Sequence, residues 1–209
     1  MEALILVDLQ NDFCPGGALA VGEGDLVLPI AKRLMPTFEH VVATQDWHPS
    51  AHESFASQHE GHAPGQLIEL HGLPQVLWPD HCVQGTKGAD FALDIGGARV
   101  FQKGMQPEVD SYSGFFDNGR RGDTGMADYL REIGIKDLFV MGLATDYCVR
   151  FTVLDALSLG FGVTLLADAC RGVGLQPGDV DAAVLAMKEA GALIGTSSSH
   201  ARKASTKQA

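Results

Sequence analysis

The chain has 209 residues, of which 45% are hydrophobic and 20% are charged, a length and composition typical of one soluble globular domain. Its formal net charge is −11, so its surface repels phosphate backbones and anionic lipid surfaces, which argues against binding to nucleic acid or to a membrane. No apolar run approaches the roughly 18 residues that suggest a membrane span, and the N-terminus lacks the basic start of a signal peptide, which predicts a cytoplasmic protein.

Short apolar runs along the chain are predicted to form strands. They are continuous rather than alternating, a pattern typical of parallel strands that are covered on both faces. In chain order the runs are 3–9, 40–46, 98–104, 137–143, 163–169 and 192–196.

Segments with helical spacing lie between many of these runs. The predicted helices cover 24–37, 125–133, 146–160 and 179–190, and Pro29 predicts that the first of them starts late or bends. Strands that alternate with helices predict an α/β fold, in which a parallel sheet is covered by helices on both sides.

The stretch 47–96 does not fit this alternation, because it is rich in His, Pro and Gly and has weak periodicity. A loop of this length inside a compact domain is usually functional. We therefore predict a single domain over 1–209 that includes a metal-binding loop region at about 46–96. The polar residues 197–209 are predicted to form a flexible tail.

Polar side chains follow several of the predicted strands, and ligands of open parallel sheets bind beyond the carboxyl ends of the strands. Asp8 ends the first run and Lys103 ends the third, while Cys148 falls in the first turn of the helix that follows the fourth. An acid, an amine and a thiol are therefore expected to meet at one edge. Taken singly, each residue has a plain structural interpretation, and a cysteine near a helix start is most often a packing residue.

Together these three residues predict a cysteine nucleophile. The N-terminus of a helix and a nearby ammonium both favour a thiolate and lower the pKa of the thiol. A carboxylate beside them can take the thiol proton and pass it to a leaving group. The four cysteines show no CxxC spacing, which argues against disulfides and against a thiolate zinc site.

A second group of residues has the chemistry of metal ligands. Asp46 and His48 are one residue apart on a short extended segment, and His81 is available to complete the set. A metal ion that has only a few protein ligands keeps coordination positions open for water or substrate. Open positions are typical of a catalytic site rather than a structural one. The alternative is that histidines in a loop are simply solvated. Weaker candidates, most of them predicted to lie on the surface, are His52, Glu53, His59, His62 and His71.

Sequence blocks that hold these residues resemble the nicotinamidase/pyrazinamidase family of isochorismatase-like cysteine hydrolases. The blocks follow the order of that family and span most of 1–170; they are DLQNDFCPGGALAV (8–21), TQDWHPSAHESFA (44–56), LWPDHCVQGTKGADF (77–91), FQKGMQPEVDSYSGF (101–115) and MGLATDYCVR (141–150). The metal block, DWH together with WPDHC, points to nicotinamidases within the wider superfamily.

The resemblance implies a three-layer α/β sandwich with a central parallel sheet, the isochorismatase-like hydrolase fold. It implies hydrolysis of nicotinamide to nicotinate and ammonia in NAD salvage, with pyrazinamide as a further substrate. The implied catalytic triad is Asp8, Lys103 and Cys148, and the reaction passes through a Cys148 thioester. A cis peptide before Ala144 and an oxyanion hole made by the N–H groups of Ala144 and Cys148 are also implied.

The resemblance further implies one divalent metal ion, held by Asp46, His48 and His81, that anchors the ring nitrogen of the substrate. Zinc, iron and manganese all suit these ligands. Phe13, Trp78 and Tyr112 are the aromatic candidates to line the substrate ring, although aromatic side chains of this kind also fill ordinary cores.

Three alternatives remain open on the sequence alone. One is a cysteine hydrolase of the same superfamily that acts on a different small amide or on isochorismate. Another is a hydrolase in which metal-bound hydroxide is the nucleophile and Cys148 is structural. The third is a non-catalytic binder of small molecules. The sequence does not determine the oligomeric state, and a homo-oligomer is compatible with it.

Overall fold

The centre of the protein is a parallel sheet. A computed structural model of the chain describes residues 1–199. In chain order the strands are β1 (Glu2–Val7), β2 (His40–Asp46), β3 (Leu67–Leu70), β4 (Leu73–Val76), β5 (Arg99–Lys103), β6 (Asp137–Leu143), β7 (Gly162–Arg171) and β8 (Leu193–Gly195). Within residues 1–199, six of them form the central sheet in the spatial order β5, β2, β1, β6, β7, β8. The predicted α/β fold with a central parallel sheet is confirmed, and each predicted strand of the sheet is present.

The helices also fall close to their predicted positions. They are α1 (Val27–Leu34), α2 (Met126–Glu132), α3 (Arg150–Ser158) and α4 (Asp179–Glu189). Pro29 lies in the first turn of α1, where its missing N–H is not needed, so this helix starts late as predicted. No helix within residues 1–199 is long and apolar enough to cross a membrane.

The chain order of the sheet creates a switch point between β1 and β6. From β1 the chain proceeds outward to β2 and β5, and from β6 it proceeds in the opposite direction to β7 and β8. Right-handed crossovers in opposite directions place helices on both faces, which explains why residues Ala3 to Val7 of β1 are fully buried. The carboxyl ends of β1 and β6 therefore flank the crevice where such sheets bind ligands.

Residues 47–96 contain more regular structure than the sequence indicated. Strands β3 and β4 form an antiparallel hairpin within this stretch, and a short 3-10 helix covers Ala56–Gln58. The hairpin was not predicted because each of its strands has only four residues and most of their side chains are partly or fully exposed, which leaves no apolar run to detect. The region is thus an ordered excursion from the sheet.

The start of the predicted tail belongs to the fold. Ser197 is 8% exposed, and its N–H and hydroxyl donate hydrogen bonds to the two carboxylate oxygens of Asp168 at 2.7 and 2.6 Å. Residues 197–199 are helical. The remainder of the predicted tail, 200–209, lies outside the described residues.

The close approach of β6 to β1 predicts that any side chain at Gly142 destabilises the fold. Gly142 has φ +129°, and a Cβ there would lie 2.2 Å from the carbonyl oxygen of Val7. We expect Gly142→Ala to lower the free energy of unfolding by roughly 2–6 kcal/mol, the sum of typical costs of overpacking and a strained backbone. Urea unfolding checks this. Gly97→Ala is the control, because a Cβ at Gly97 meets nothing within 4 Å. Equal stability of the two variants would contradict the prediction.

Candidate active site

Four strand ends deliver the predicted chemical groups to one place. Asp8 directly follows β1, Asp46 is the last residue of β2, Lys103 is the last residue of β5, and Cys148 lies in the turn after β6. All four side chains are buried. Because the strands are parallel and adjacent, their carboxyl ends meet at the same edge of the sheet.

The ammonium group of Lys103 lies at the centre of this cluster. Its Nζ is 2.9 Å from Oδ2 of Asp8 and 3.4 Å from Sγ of Cys148. It also donates to Oδ1 of Asp46 and to the carbonyl oxygen of Ser111. The structure therefore brings the predicted acid, amine and thiol together. The contact between Lys103 and Asp46, which links them to the predicted metal ligands, was not predicted.

Burial and charge have opposite effects on Lys103 and Asp8. Burial would lower the pKa of Lys103, but the Asp46 and Asp8 carboxylates outweigh it and hold this pKa well above the usual range. Burial raises the pKa of Asp8, although the neighbouring Lys103 works in the other direction. Lys103 is therefore a permanent positive charge at neutral pH, and Asp8 is a stronger base than an exposed aspartate.

The pKa of Cys148 differs from the sequence-based expectation. The sequence predicted a lowered pKa, whereas burial raises the pKa of this thiol well above its usual value and Lys103 only partly offsets the rise. The pKa of Cys148 is raised by its environment, since this side chain is 7% exposed and two carboxylates lie nearby. Cys148 therefore rests as a neutral thiol. Its Sγ and carboxylate oxygens of Asp8 and Asp46 all lie within 4.8 Å of one another. A carboxylate is therefore close enough to accept the thiol proton.

Cys148 lies in a tight turn between β6 and α3. Residues Thr145–Val149 form one π-helical turn, and the N–H groups of Tyr147 and Val149 both donate to the carbonyl oxygen of Ala144 at 3.1 and 3.0 Å. The peptide bond between Leu143 and Ala144 is cis, as the family resemblance implied. This turn holds Cys148 against the end of the sheet, beside the ammonium of Lys103.

Asp46, His48 and His81 form a cluster that fits a divalent metal ion. Oδ2 of Asp46 is 3.7 Å from Nε2 of His48 and 3.8 Å from Nε2 of His81. The Nδ1 atoms of His48 and His81 each lie 2.8 Å from a backbone carbonyl oxygen, which fixes the ring and leaves Nε2 with a free lone pair. Nε2 of His48 is buried without a hydrogen-bond partner in the described part of the chain, so it suits a metal ligand.

Backbone pairing brings His81 to His48 across more than thirty intervening residues. The N–H of His48 donates to the carbonyl oxygen of Cys82 at 3.0 Å, and the N–H of Gln84 donates to the carbonyl oxygen of His48 at 2.8 Å. His48 and Val83 thereby form a parallel bridge beyond the end of β2. Two short extended segments therefore build the metal cluster.

Among the weaker metal candidates, one residue is buried and the others are partly or fully exposed. His52 is fully buried, contrary to the surface position favoured for most of these residues, and its ring centroid lies 4.4 Å from that of His48. Burial and the neighbouring His48 lower the pKa of His52 to about 4, so this imidazole is neutral. Glu53 instead pairs with the exposed His71 at 2.7 Å. His59 binds the carbonyl oxygen of Glu53 and His62 binds Gln66.

A small cavity opens beside Cys148. It encloses about 30 Å³ and is lined by Phe13, Leu19, Asp46, Trp78, His81, Asp110, Tyr112, Ala144, Tyr147, Cys148 and Val173. The three aromatic residues predicted to line the substrate ring all lie on its wall. Leu19, Asp110, Tyr147 and Val173 were not predicted as lining residues. Leu19, Asp110 and Tyr147 lie inside the sequence blocks that resemble the family, so their closeness in sequence to Phe13, Tyr112 and Cys148 was the available signal.

The central position of Lys103 predicts a large stability cost for its loss. Lys103→Met leaves the buried carboxylates of Asp8 and Asp46 without a counter-charge, which typically costs about 3–5 kcal/mol of unfolding free energy at pH 7. Because unpaired buried carboxylates have raised folded-state pKa values, the deficit should shrink as the pH falls and they bind protons. Urea unfolding at pH 7 and pH 5 measures this. Lys87→Met, at an exposed lysine, should change stability by less than about 0.5 kcal/mol. A Lys103→Met deficit as small as that of Lys87→Met would contradict the account.

Comparison with known proteins places these features in a family. The isochorismatase domain model matches residues 2–199. The chain is 56% identical over 204 residues to a nicotinamidase of Escherichia coli (strain K12), covering 93% of this chain and 94% of that protein. It is 43% identical to the structure of an Acinetobacter baumanii nicotinamidase/pyrazinamidase, with a TM-score of 0.91 and coverage of 95% of this chain and 97% of that one.

A third similar protein carries a metal. The chain is 41% identical to the Pyrococcus horikoshii pyrazinamidase whose structure is in complex with zinc, with a TM-score of 0.77 and coverage of 93% of this chain and 98% of that one. The family resemblance that the sequence blocks suggested is confirmed over nearly the whole chain. The chain therefore belongs to the isochorismatase family, in its nicotinamidase/pyrazinamidase branch.

Proposed function

We propose that this protein hydrolyses nicotinamide to nicotinate and ammonia, and that it also accepts pyrazinamide. The observation that carries the proposal is the Lys103 ammonium, which touches the Asp8 carboxylate and the Cys148 thiol at the wall of a cavity shared with Asp46 and His81. The similarity to nicotinamidases from other organisms supports the choice of substrate.

Acylation of Cys148 is the first half of the reaction. As Sγ attacks the carboxamide carbon, the thiol proton passes to Asp8, whose raised pKa suits it to receive a proton. The new oxyanion is held by the backbone N–H groups of Ala144 and Cys148. The C–N bond then breaks, Asp8 returns the proton to the departing amine, and ammonia leaves a thioester on Cys148. Lys103 holds Asp8 in place and stabilises the negative charge that develops on sulfur.

Hydrolysis of the thioester is the second half. A water molecule attacks the acyl carbon while Asp8 takes its proton, and the C–S bond breaks as the tetrahedral intermediate collapses. The proton on Asp8 passes to sulfur and restores the neutral Cys148 thiol, and the released nicotinic acid then loses its own proton to solvent to give nicotinate. The high pKa of the thiol favours this resting state.

Asp46, His48 and His81 are the residues that would hold a divalent metal ion. The fit rests on their converging donor atoms and on the partnerless, buried Nε2 of His48. When bound, the ion supplies a Lewis-acid contact for the ring nitrogen of the substrate and so helps to orient the ring. Phe13, Trp78 and Tyr112 would pack against that ring from the cavity wall.

Replacement of Cys148 separates this proposal from metal-hydroxide chemistry. We expect Cys148→Ala to lower ammonia release from nicotinamide by at least about 1,000-fold, because the acyl acceptor is gone. A coupled assay for ammonia measures the rate. Cys14→Ala is the control, since Cys14 is only partly buried and does not line the cavity. Retained activity in Cys148→Ala would indicate that a metal-bound hydroxide is the nucleophile. Saturable nicotinamide binding by the wild type without release of ammonia would indicate a non-catalytic binding protein.

The metal cluster predicts a separate set of affinities. Asp46→Ala, His48→Ala and His81→Ala should each weaken zinc binding by at least about 100-fold, because a direct ligand contributes more than an outer partner. Competition with a chromophoric chelator measures the affinity without any need for turnover. His62→Ala is the control, because His62 is exposed and pairs with Gln66. Wild-type affinity in all three ligand variants would show that the ligands had been assigned wrongly.

A further inference from the structure

Asp146 is a buried carboxylate that the proposed chemistry does not use. It is 5% exposed and lies in the same π-helical turn as Cys148. Its Oδ1 accepts a hydrogen bond from the N–H of Val173 at 2.9 Å, and its Oδ2 accepts one from the N–H of Gly174 at 2.8 Å. Hydrogen bonds to an ionised acceptor are among the strong ones. The turn that carries the nucleophile is therefore tied to the segment that follows β7.

That segment is not held by the backbone hydrogen bonds of a strand or helix. Residues 172–174 come directly after the end of β7 and belong to no strand or helix. They nevertheless approach their neighbours closely, because a Cβ at Gly172 would lie 2.3 Å from Cγ2 of Val180 and 2.9 Å from Oδ1 of Asp146. The position of the segment thus depends on Asp146 and on its packing against α4.

Val173 is the residue through which this segment reaches the substrate. Val173 lines the cavity of about 30 Å³ beside Cys148. A residue on the wall of so small a cavity limits the size of the ring that the cavity accepts. Trp78 and Tyr112 are joined by a hydrogen bond of 3.1 Å. Val173, in contrast, is an apolar residue on an irregular segment.

We propose that Asp146 is a positioning residue that holds Val173 at the pocket, and that Val173 sets how large a substituted ring the pocket accepts. This inference rests on the proposed function, because the ring to be accommodated is that of nicotinamide. Asp146 touches neither substrate nor the reacting atoms in this account. It acts through the backbone of Val173, so its effect should appear in the choice among substrates.

The test is a comparison of kcat/KM for ring-methylated nicotinamides with kcat/KM for nicotinamide. Val173→Ala should raise the ratio for at least one methylated isomer by about 10-fold, the usual effect of room for one methyl group. Asp146→Ala should raise the same ratio by about 3- to 10-fold. The double variant should match Val173→Ala within about 2-fold, because displacing Val173 and truncating it remove the same wall.

Leu19→Ala supplies the matched control, since Leu19 lines the same cavity but has no bond to Asp146. Its effect on the ratio should multiply with that of Asp146→Ala. If Asp146→Ala does not fold, Asp146→Asn keeps one acceptor oxygen and should shift the ratio in the same direction by less. An unchanged ratio in the Asp146 variants, or independent multiplication with Val173→Ala, would overturn the inference.

Binding measurements separate failure of this inference from failure of the proposed function. If wild-type protein releases no ammonia from nicotinamide, the proposed function fails. Calorimetry on the same variants can still measure the ratio of the dissociation constants for methylated nicotinates and for nicotinate. This ratio tests whether Asp146 and Val173 limit the size of the ring that the cavity accepts. If the wild type is active and both ratios are unchanged in the Asp146 variants, this inference alone is wrong.

Discussion

A lysine side chain that is 1% exposed is stable in a protein interior only if its charge is compensated, and the carboxylates of Asp8 and Asp46 both touch the Lys103 ammonium. The same contacts serve the proposed chemistry. They keep Lys103 charged, place it 3.4 Å from the sulfur of Cys148, and leave Asp8 as a buried base with a raised pKa. They also join the proposed triad of Asp8, Lys103 and Cys148 to the proposed metal ligands, because Asp46 contacts Lys103.

The fold makes this arrangement by bringing strand ends together. The sheet order places the ends of β5, β2, β1 and β6 side by side, and the switch point between β1 and β6 opens the crevice between Asp8 and Cys148. The ordered excursion over 47–96 then folds back over the same edge, where pairing of His48 with the segment around Val83 delivers His81. Residues far apart in the chain therefore become neighbours through backbone pairing.

Much of this could be predicted from sequence because it depends on local patterns. Continuous apolar runs identified the strands of the sheet, and their polar ends located Asp8, Lys103 and Cys148. The hairpin of β3 and β4 could not be found, because its strands are short and half exposed. The raised pKa of Cys148 and the burial of His52 also depend on what tertiary packing places around each group, and neither has a local signal. The same holds for Val173, which lines the cavity and donates its N–H to Asp146.

The proposed reaction passes through an acyl group on Cys148, and trapping with hydroxylamine tests for this intermediate. Hydroxylamine attacks a thioester carbonyl and releases the thiol, so it competes with water for the intermediate after ammonia has left. The measurement is the yield of nicotinohydroxamate and nicotinate from nicotinamide as hydroxylamine is added. We expect hydroxamate to form at the expense of nicotinate, and we expect Cys148→Ala to form neither product. Undiminished formation of nicotinate, with no hydroxamate at any hydroxylamine concentration, would contradict this expectation.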